Sequence, residues 1–155
     1  MIPRSALAQA CLLLNEHEAH YVLVGGLAVQ LWGSSRATRD IDVLIEPTVE
    51  NARRVLDAIV RLTGSWGLAR DLLAEDVAKR PVTIIGDIPR IDILTVAFKI
   101  HYAEAARDAT VFEVDGVNIP TASIEHLIAS KQTGRLRDAA DVEELLDIRR
   151  ERGGR

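Results

Sequence analysis

Apolar positions along the chain switch between a two-residue and a helical period, and the switches mark out its elements. Tyr21 to Val24 reads YVLV, β-branched and aromatic, short enough for a strand buried on both faces. Gly25 and Gly26 stop it, and Leu27 to Trp32 continues with apolar residues at helical spacing. Asp40 to Glu46, DIDVLIE, reads as a second strand. Ser5 to His17 and Thr48 to Leu62 read as amphipathic helices, the latter with Val49, Val55, Leu56 and Ile59 on its inner face. A further helix is expected over Asp71 to Lys79. Pro81 to Ile85 and the segment around Asp92 read as strands joined by a turn at Gly86 to Pro89, a hairpin. Val111 to Val114 and Val117 to Ile119 flank Asp115-Gly116, the strongest short hairpin signal in the chain. Ser123 to Ser130 and Arg137 to Arg150 read as closing helices.

The glycine pair sits where a strand turns into a helix whose first backbone N-H groups lack intrahelical partners. Without Cβ atoms an anion can approach such a turn closely, and the helix dipole favours it, so the turn suits phosphate. In the following strand, side chains two apart share a face, so Asp40 and Asp42 are expected to project together. Two carboxylates on one face repel unless a cation lies between them, and Mg²⁺ accepts that oxygen set. With 12 aspartates in the chain, an Asp-x-Asp pair arises by chance about once, and solvated strand-end carboxylates are the plain alternative. What distinguishes the pair is order: glycine pair, helix, Arg-x-Thr-x-Asp-Ile-Asp, apolar strand.

Gly25-Gly26 followed by Arg36-Ala-Thr-Arg-Asp40-Ile-Asp42 resembles the signature of the DNA polymerase beta-like nucleotidyltransferases. That superfamily uses a third carboxylate on a later strand, and Pro89-Arg-Ile-Asp92-Ile-Leu-Thr supplies it. An aspartate within such an alternating run is costly to bury unpaired, so Asp92 should be bonded or metal-bound. Further along, Leu127-Ile-Ala-Ser-Lys131 and Arg135-Leu-Arg137-Asp138-Ala-Ala-Asp141 resemble the Leu-x-x-x-Lys and Arg-x-Lys-Asp-x-x-Asp motifs of AbiEii-type toxin nucleotidyltransferases. Arg137 stands where that pattern has lysine, which keeps the charge but changes the hydrogen-bond geometry. Many members also carry Gly-Ser where this chain has Gly25-Gly26, leaving Ser34 or Ser35 as the alternative hydroxyl for phosphate.

The resemblance implies an α/β (α+β) polymerase beta-like fold: a mixed central sheet flanked by helices, with C-terminal helices. It implies that Asp40, Asp42 and Asp92 hold two Mg²⁺ ions for in-line displacement at the α-phosphate of an NTP. Gly25, Gly26, Ser34, Arg36 and Lys131 would bind the nucleotide. Asp138 is a second candidate for positioning or deprotonating the acceptor.

Composition narrows the setting. At 155 residues and 48% apolar, the chain suits one nucleotidyltransferase domain over 1–150, with 151–155 a disordered tail. The sole cysteine, Cys11, lies in a helical apolar pattern and is expected to pack as a thiol. The N-terminus has neither a clear cleavage site nor an apolar stretch long enough to span a membrane, so a cytoplasmic protein is expected. A net charge of -4 argues against nonspecific nucleic-acid binding as the main activity, without excluding an RNA substrate. Arginines concentrate late, but acidic residues are interleaved with them, the pattern of a solvated helix. Aromatics at 4% leave little for a base-stacking platform. His17 and His20 lack the further ligands of a zinc set, Ser123 suits a helix N-cap, and no Walker loop is present.

Three functions fit these residues: a toxin-like enzyme adding nucleotides to RNA, at tRNA 3′ ends; an antitoxin-type transferase placing AMP on a partner toxin protein; or a non-catalytic interaction module that keeps the fold. The late lysine and arginine motifs favour the first, and the absence of an RNA-binding extension favours the second.

Overall fold

The computed structural model describes residues 5–35, 37–64, 68–132 and 134–153. In chain order the elements are α1 (Ala6–Glu16), β1 (Tyr21–Val24), α2 (Gly25–Trp32), β2 (Ile41–Ile45), α3 (Val49–Thr63), a 3-10 turn (Leu68–Asp71), α4 (Ala74–Lys79), β3 (Val82–Ile85), β4 (Ile91–Leu94), α5 (Tyr102–Arg107), β5 (Thr110–Val114), β6 (Val117–Thr121), α6 (Ile124–Ser130) and α7 (Leu136–Gly153). The strands form one mixed sheet in the order β3-β4-β2-β1-β6-β5. β2 pairs antiparallel with β1 and parallel with β4, and β1 runs parallel to β6. The edges are the two hairpins, β3-β4 and β5-β6.

Local chemistry explains most of these boundaries. The side chains of Ser5, Thr48 and Ser123 each accept a hydrogen bond from a backbone N-H three residues on, at 3.1 Å. Each cap contributes about 1 kcal/mol to its helix. Asp115 and Gly116, at φ 51° and 79°, form the tight β5-β6 turn. All four β1 residues are buried, as their uninterrupted apolar run requires. The core is continuous from these through Val43, Leu44 and Ile45 of β2 to Ile93 and Ile119. Asn51 on α3, 1% exposed, clamps the sheet: it accepts from the His20 backbone N-H at 2.7 Å and donates to the carbonyls of His20 (2.9 Å) and Glu46 (3.0 Å). A buried amide with this many partners costs little to bury.

Elsewhere the structure departs from the sequence reading. Val49 is 42% exposed, because α3 buries the stripe through Ala52, Val55, Leu56 and Ile59 and leaves its first residue outside. The helix expected from Asp71 divides into the 3-10 turn and a shorter α4, since Leu73 stays extended at φ -90°, ψ 130°. α5 was not anticipated. α7 continues to Gly153, so the last regular element runs into the stretch expected to be a tail. No helix among the described residues is long and apolar enough to cross a membrane.

Candidate active site

The β1-α2 junction is shaped by a close approach. Gly25 adopts φ +73°, and a Cβ placed there would lie 2.0 Å from Asp42 Oδ2. The glycine therefore makes room for the chain's own carboxylate, and any side chain would displace it. A Cβ on Gly26 would lie 2.7 Å from Thr38 Cγ2. Val24, at the N-cap of α2, makes no side-chain cap hydrogen bond.

Asp42 is the direct register partner of Val24 on one side and of Asp92 on the other. β2 and β4 run parallel, so the two aspartates emerge side by side from one face of the sheet. Burial pushes the Asp42 carboxyl up to about 7, and the Asp92 carboxylate beside it, then Asp40, push in the same direction. The Lys131 ammonium acts the opposite way. Asp92 is held by Arg90, whose Nε and Nη2 donate to its two oxygens at 2.9 and 3.2 Å. Asp40 stands one residue before β2 and is exposed, so it joins the pair from the rim rather than from within the strand.

Two adjacent, partly buried carboxylates, one with its proton affinity raised by burial and then by the other, fit a hard divalent cation. Asp42 and Asp92 would hold it. Among the described residues no three histidine, cysteine or acidic ligands already converge as a metal cluster.

The opposite wall comes from the last two helices. Lys131, at the C-cap of α6, places Nζ 3.0 Å from Asp141 Oδ2 and 3.7 Å from Asp138 Oδ1. Arg135 Nε donates to Asp138 Oδ2 at 2.8 Å. Asp138 and Asp141 are 3% and 4% exposed, so the network bolts the start of α7 onto α6. Both Asp138 oxygens thus face cations, Oδ1 the Lys131 ammonium and Oδ2 the Arg135 guanidinium.

These walls enclose a polar pocket of about 250 Å³, bounded by Gly26, Asp40, Asp42, Asp92, Lys131 and Arg137. It adjoins a second pocket of about 280 Å³ that shares Asp42, Lys131, Arg135 and Asp138 and adds an apolar side from Val24, Leu94, Ala97 and Phe98. The fold thus brings together Gly25, Gly26, Asp40, Asp42, Asp92, Lys131 and Asp138. Ser34 is not among the residues lining either pocket. It follows Gly33, the C-cap of α2, at the far end of a helix of 8 residues from the glycines. That length, about 12 Å, separates it from the turn it was expected to serve. Arg36 lies outside the described residues.

Sequence reasoning missed Arg90 and Phe98. Arg90 had a signal, standing two residues before Asp92 and so on the same side of an extended chain. Other candidates have structural roles: His17 Nδ1 lies 2.9 Å from the Leu13 carbonyl and His20 Nδ1 pairs with Glu46 at 3.2 Å; among the late arginines, Arg152 lies over the Trp32 ring at 4.9 Å.

The chain matches the family model for the nucleotidyl transferase AbiEii toxin of type IV toxin-antitoxin systems over residues 6–152. No individually curated protein matches it at a significant level. Among solved structures, it resembles a candidate nucleotidyltransferase from Thermotoga maritima, with a TM-score of 0.53 and 17% identity, covering 90% of this chain and 89% of that one. At that identity the likeness concerns the fold, and the fold agrees with the mixed, helix-flanked sheet expected from the motifs. With the match spanning nearly the whole chain, the protein belongs to the AbiEii family of toxin nucleotidyltransferases and is a nucleotidyltransferase.

Proposed function

We propose that the enzyme transfers a nucleoside monophosphate from an NTP to a hydroxyl at the 3′ end of an RNA, a tRNA, as the toxic member of a cytoplasmic toxin-antitoxin pair. The observation that carries this reading is the register pairing of Asp42 with Asp92, facing Lys131 and Arg137 across one pocket.

The acceptor oxygen bonds to the α-phosphorus, the bond from that phosphorus to the bridging oxygen breaks, and pyrophosphate leaves. Asp42 and Asp92, with Asp40 at the rim, would hold Mg²⁺, which supplies Lewis-acid charge at the phosphate and makes the acceptor hydroxyl more acidic. Backbone N-H groups at Gly25 and Gly26, with Lys131 and Arg137, offset the charge of the triphosphate. Asp92 would help activate the acceptor hydroxyl, whose proton leaves to solvent as the oxygen attacks, and Asp138 keeps Lys131 in place. The RNA acceptor is supported by the family's toxic role and by the basic residues that α6 and α7 present to the pocket.

The test is transfer of label from each α-labelled NTP, with Mg²⁺, into a host lysate, comparing the protein with its Asp42→Asn variant on one denaturing gel. Variant-sensitive label in tRNA-sized RNA is the expected result. A labelled protein band would reassign the acceptor to a partner protein, and absence of variant-sensitive label would overturn the reading.

A further inference from the structure

The pocket next to the carboxylates has one aromatic wall. After β4, Ala97 and Ile100 close a two-residue turn by exchanging backbone hydrogen bonds at 2.9 and 3.1 Å, with Phe98 and Lys99 at its tip. Phe98 adopts φ 53°, a left-handed conformation that a bulky side chain rarely takes and that glycine would hold without strain. Phe98 is 45% exposed although it lines the pocket. Such outliers persist where surrounding structure enforces them, and they concentrate at ligand clamps. Here the closed turn is the enforcing element.

The position of the ring relative to the chemistry follows from the strand. Asp92 and Leu94 lie two apart on β4 and so share a face, which makes the apolar floor of the pocket continuous with the carboxylates. Val24, Leu94 and Ala97 supply that floor, while Asp42 and Lys131 bound its polar end. A ligand spanning it would have a flat apolar part at the Phe98 end and an anionic part at the Lys131 end. Lys99 Nζ, 5.6 Å from the ring centroid, adds positive charge near the aromatic face.

We infer that Phe98 is the stacking platform of a nucleobase subsite. The ligand chemistry is a planar base attached to a phosphate, and it comes either from the incoming NTP or from the terminal nucleotide of the acceptor. This inference rests on the proposed use of NTP and RNA. It also supplies the stacking surface that the chain's few aromatics did not suggest.

The test compares the wild-type protein with Phe98→Ala and Phe98→Trp, all first checked for equal folding by thermal melting. Binding of non-hydrolysable NTP analogues and of inorganic tripolyphosphate is measured by calorimetry, and KM for tRNA by transfer. Loss of a stacked base costs about ten-fold or more in affinity. Weaker NTP binding in Phe98→Ala, with tripolyphosphate binding unchanged and Phe98→Trp restoring affinity, assigns the subsite to the NTP base. Unchanged NTP binding with a raised KM for tRNA, again restored by tryptophan, assigns it to the acceptor base. Equal losses for NTP and tripolyphosphate, or no change in any measurement, would overturn the inference. Failure of the wild-type protein itself to bind any NTP would instead sink the proposed donor and, with it, the subsite.

Discussion

Asp42 and Asp92 are direct register partners across the parallel β2-β4 pair, and Arg90 holds both oxygens of Asp92. Asp42 is left with a neighbour of its own sign and a carboxyl pushed up from 3.8 to about 7. Because the folded form binds this proton more tightly than the unfolded chain, stability in the absence of divalent ions falls as pH rises from about 4 to about 7, and is flat above that. Asp42→Asn removes the charge, so it should be more stable than wild type at pH 8 in chelator, on the order of 4 kcal/mol. Below pH 4 the two should converge. Urea denaturation at both pH values checks this, and a variant less stable than wild type at pH 8 would contradict it.

Arg90 has the opposite effect on the same pair. Arg90→Ala should lower the melting temperature at pH 8 in chelator, and added Mg²⁺ should narrow the difference by replacing the lost positive charge. A melting difference that Mg²⁺ leaves untouched would show that Arg90 acts through packing alone.

Gly25 and Gly26 should respond unequally to alanine. At Gly25 the new methyl meets Asp42 Oδ2 at 2.0 Å in a backbone that also disfavours it, so transfer should fall by at least about a hundred-fold. At Gly26 the obstacle is the Thr38 methyl at 2.7 Å, a side chain that can shift, and the loss should be smaller. Initial rates on a common RNA acceptor, beside melting curves, measure the contrast. Equal losses would argue that the turn matters only for folding.

Lys131→Met should destabilise the protein by about 3 kcal/mol, because it leaves two buried carboxylates with one fewer cation. Adding Asp141→Asn should recover part of that loss, since the double variant also removes one of the two buried carboxylates that faced the lysine. Urea titrations of the single and double variants test it. Additive losses would mean that Lys131 and Asp141 act independently despite their 3.0 Å contact.

Much of this protein is legible locally. The YVLV strand, the Gly25-Gly26 stop, the caps at Ser5, Thr48 and Ser123 and the Asp115-Gly116 turn depend on neighbours within a few residues, where periodicity and side-chain chemistry act directly. The motif blocks, read in order, were likewise enough to point to the family that the whole-chain match then established.

Tertiary structure decided what depends on distant segments meeting. Register across β2-β4, set by which face of each strand is buried, places Asp92 rather than Asp40 beside Asp42. The close approach of Asp42 explains Gly25 in terms no spacing rule contains. The length of α2 separates Ser34 from the turn, and the docking of α7 on α6 commits Asp138 and Asp141 to Lys131. A sequence pattern records which face a residue occupies along its own element; which charges then share a pocket is set by how those faces pack against one another.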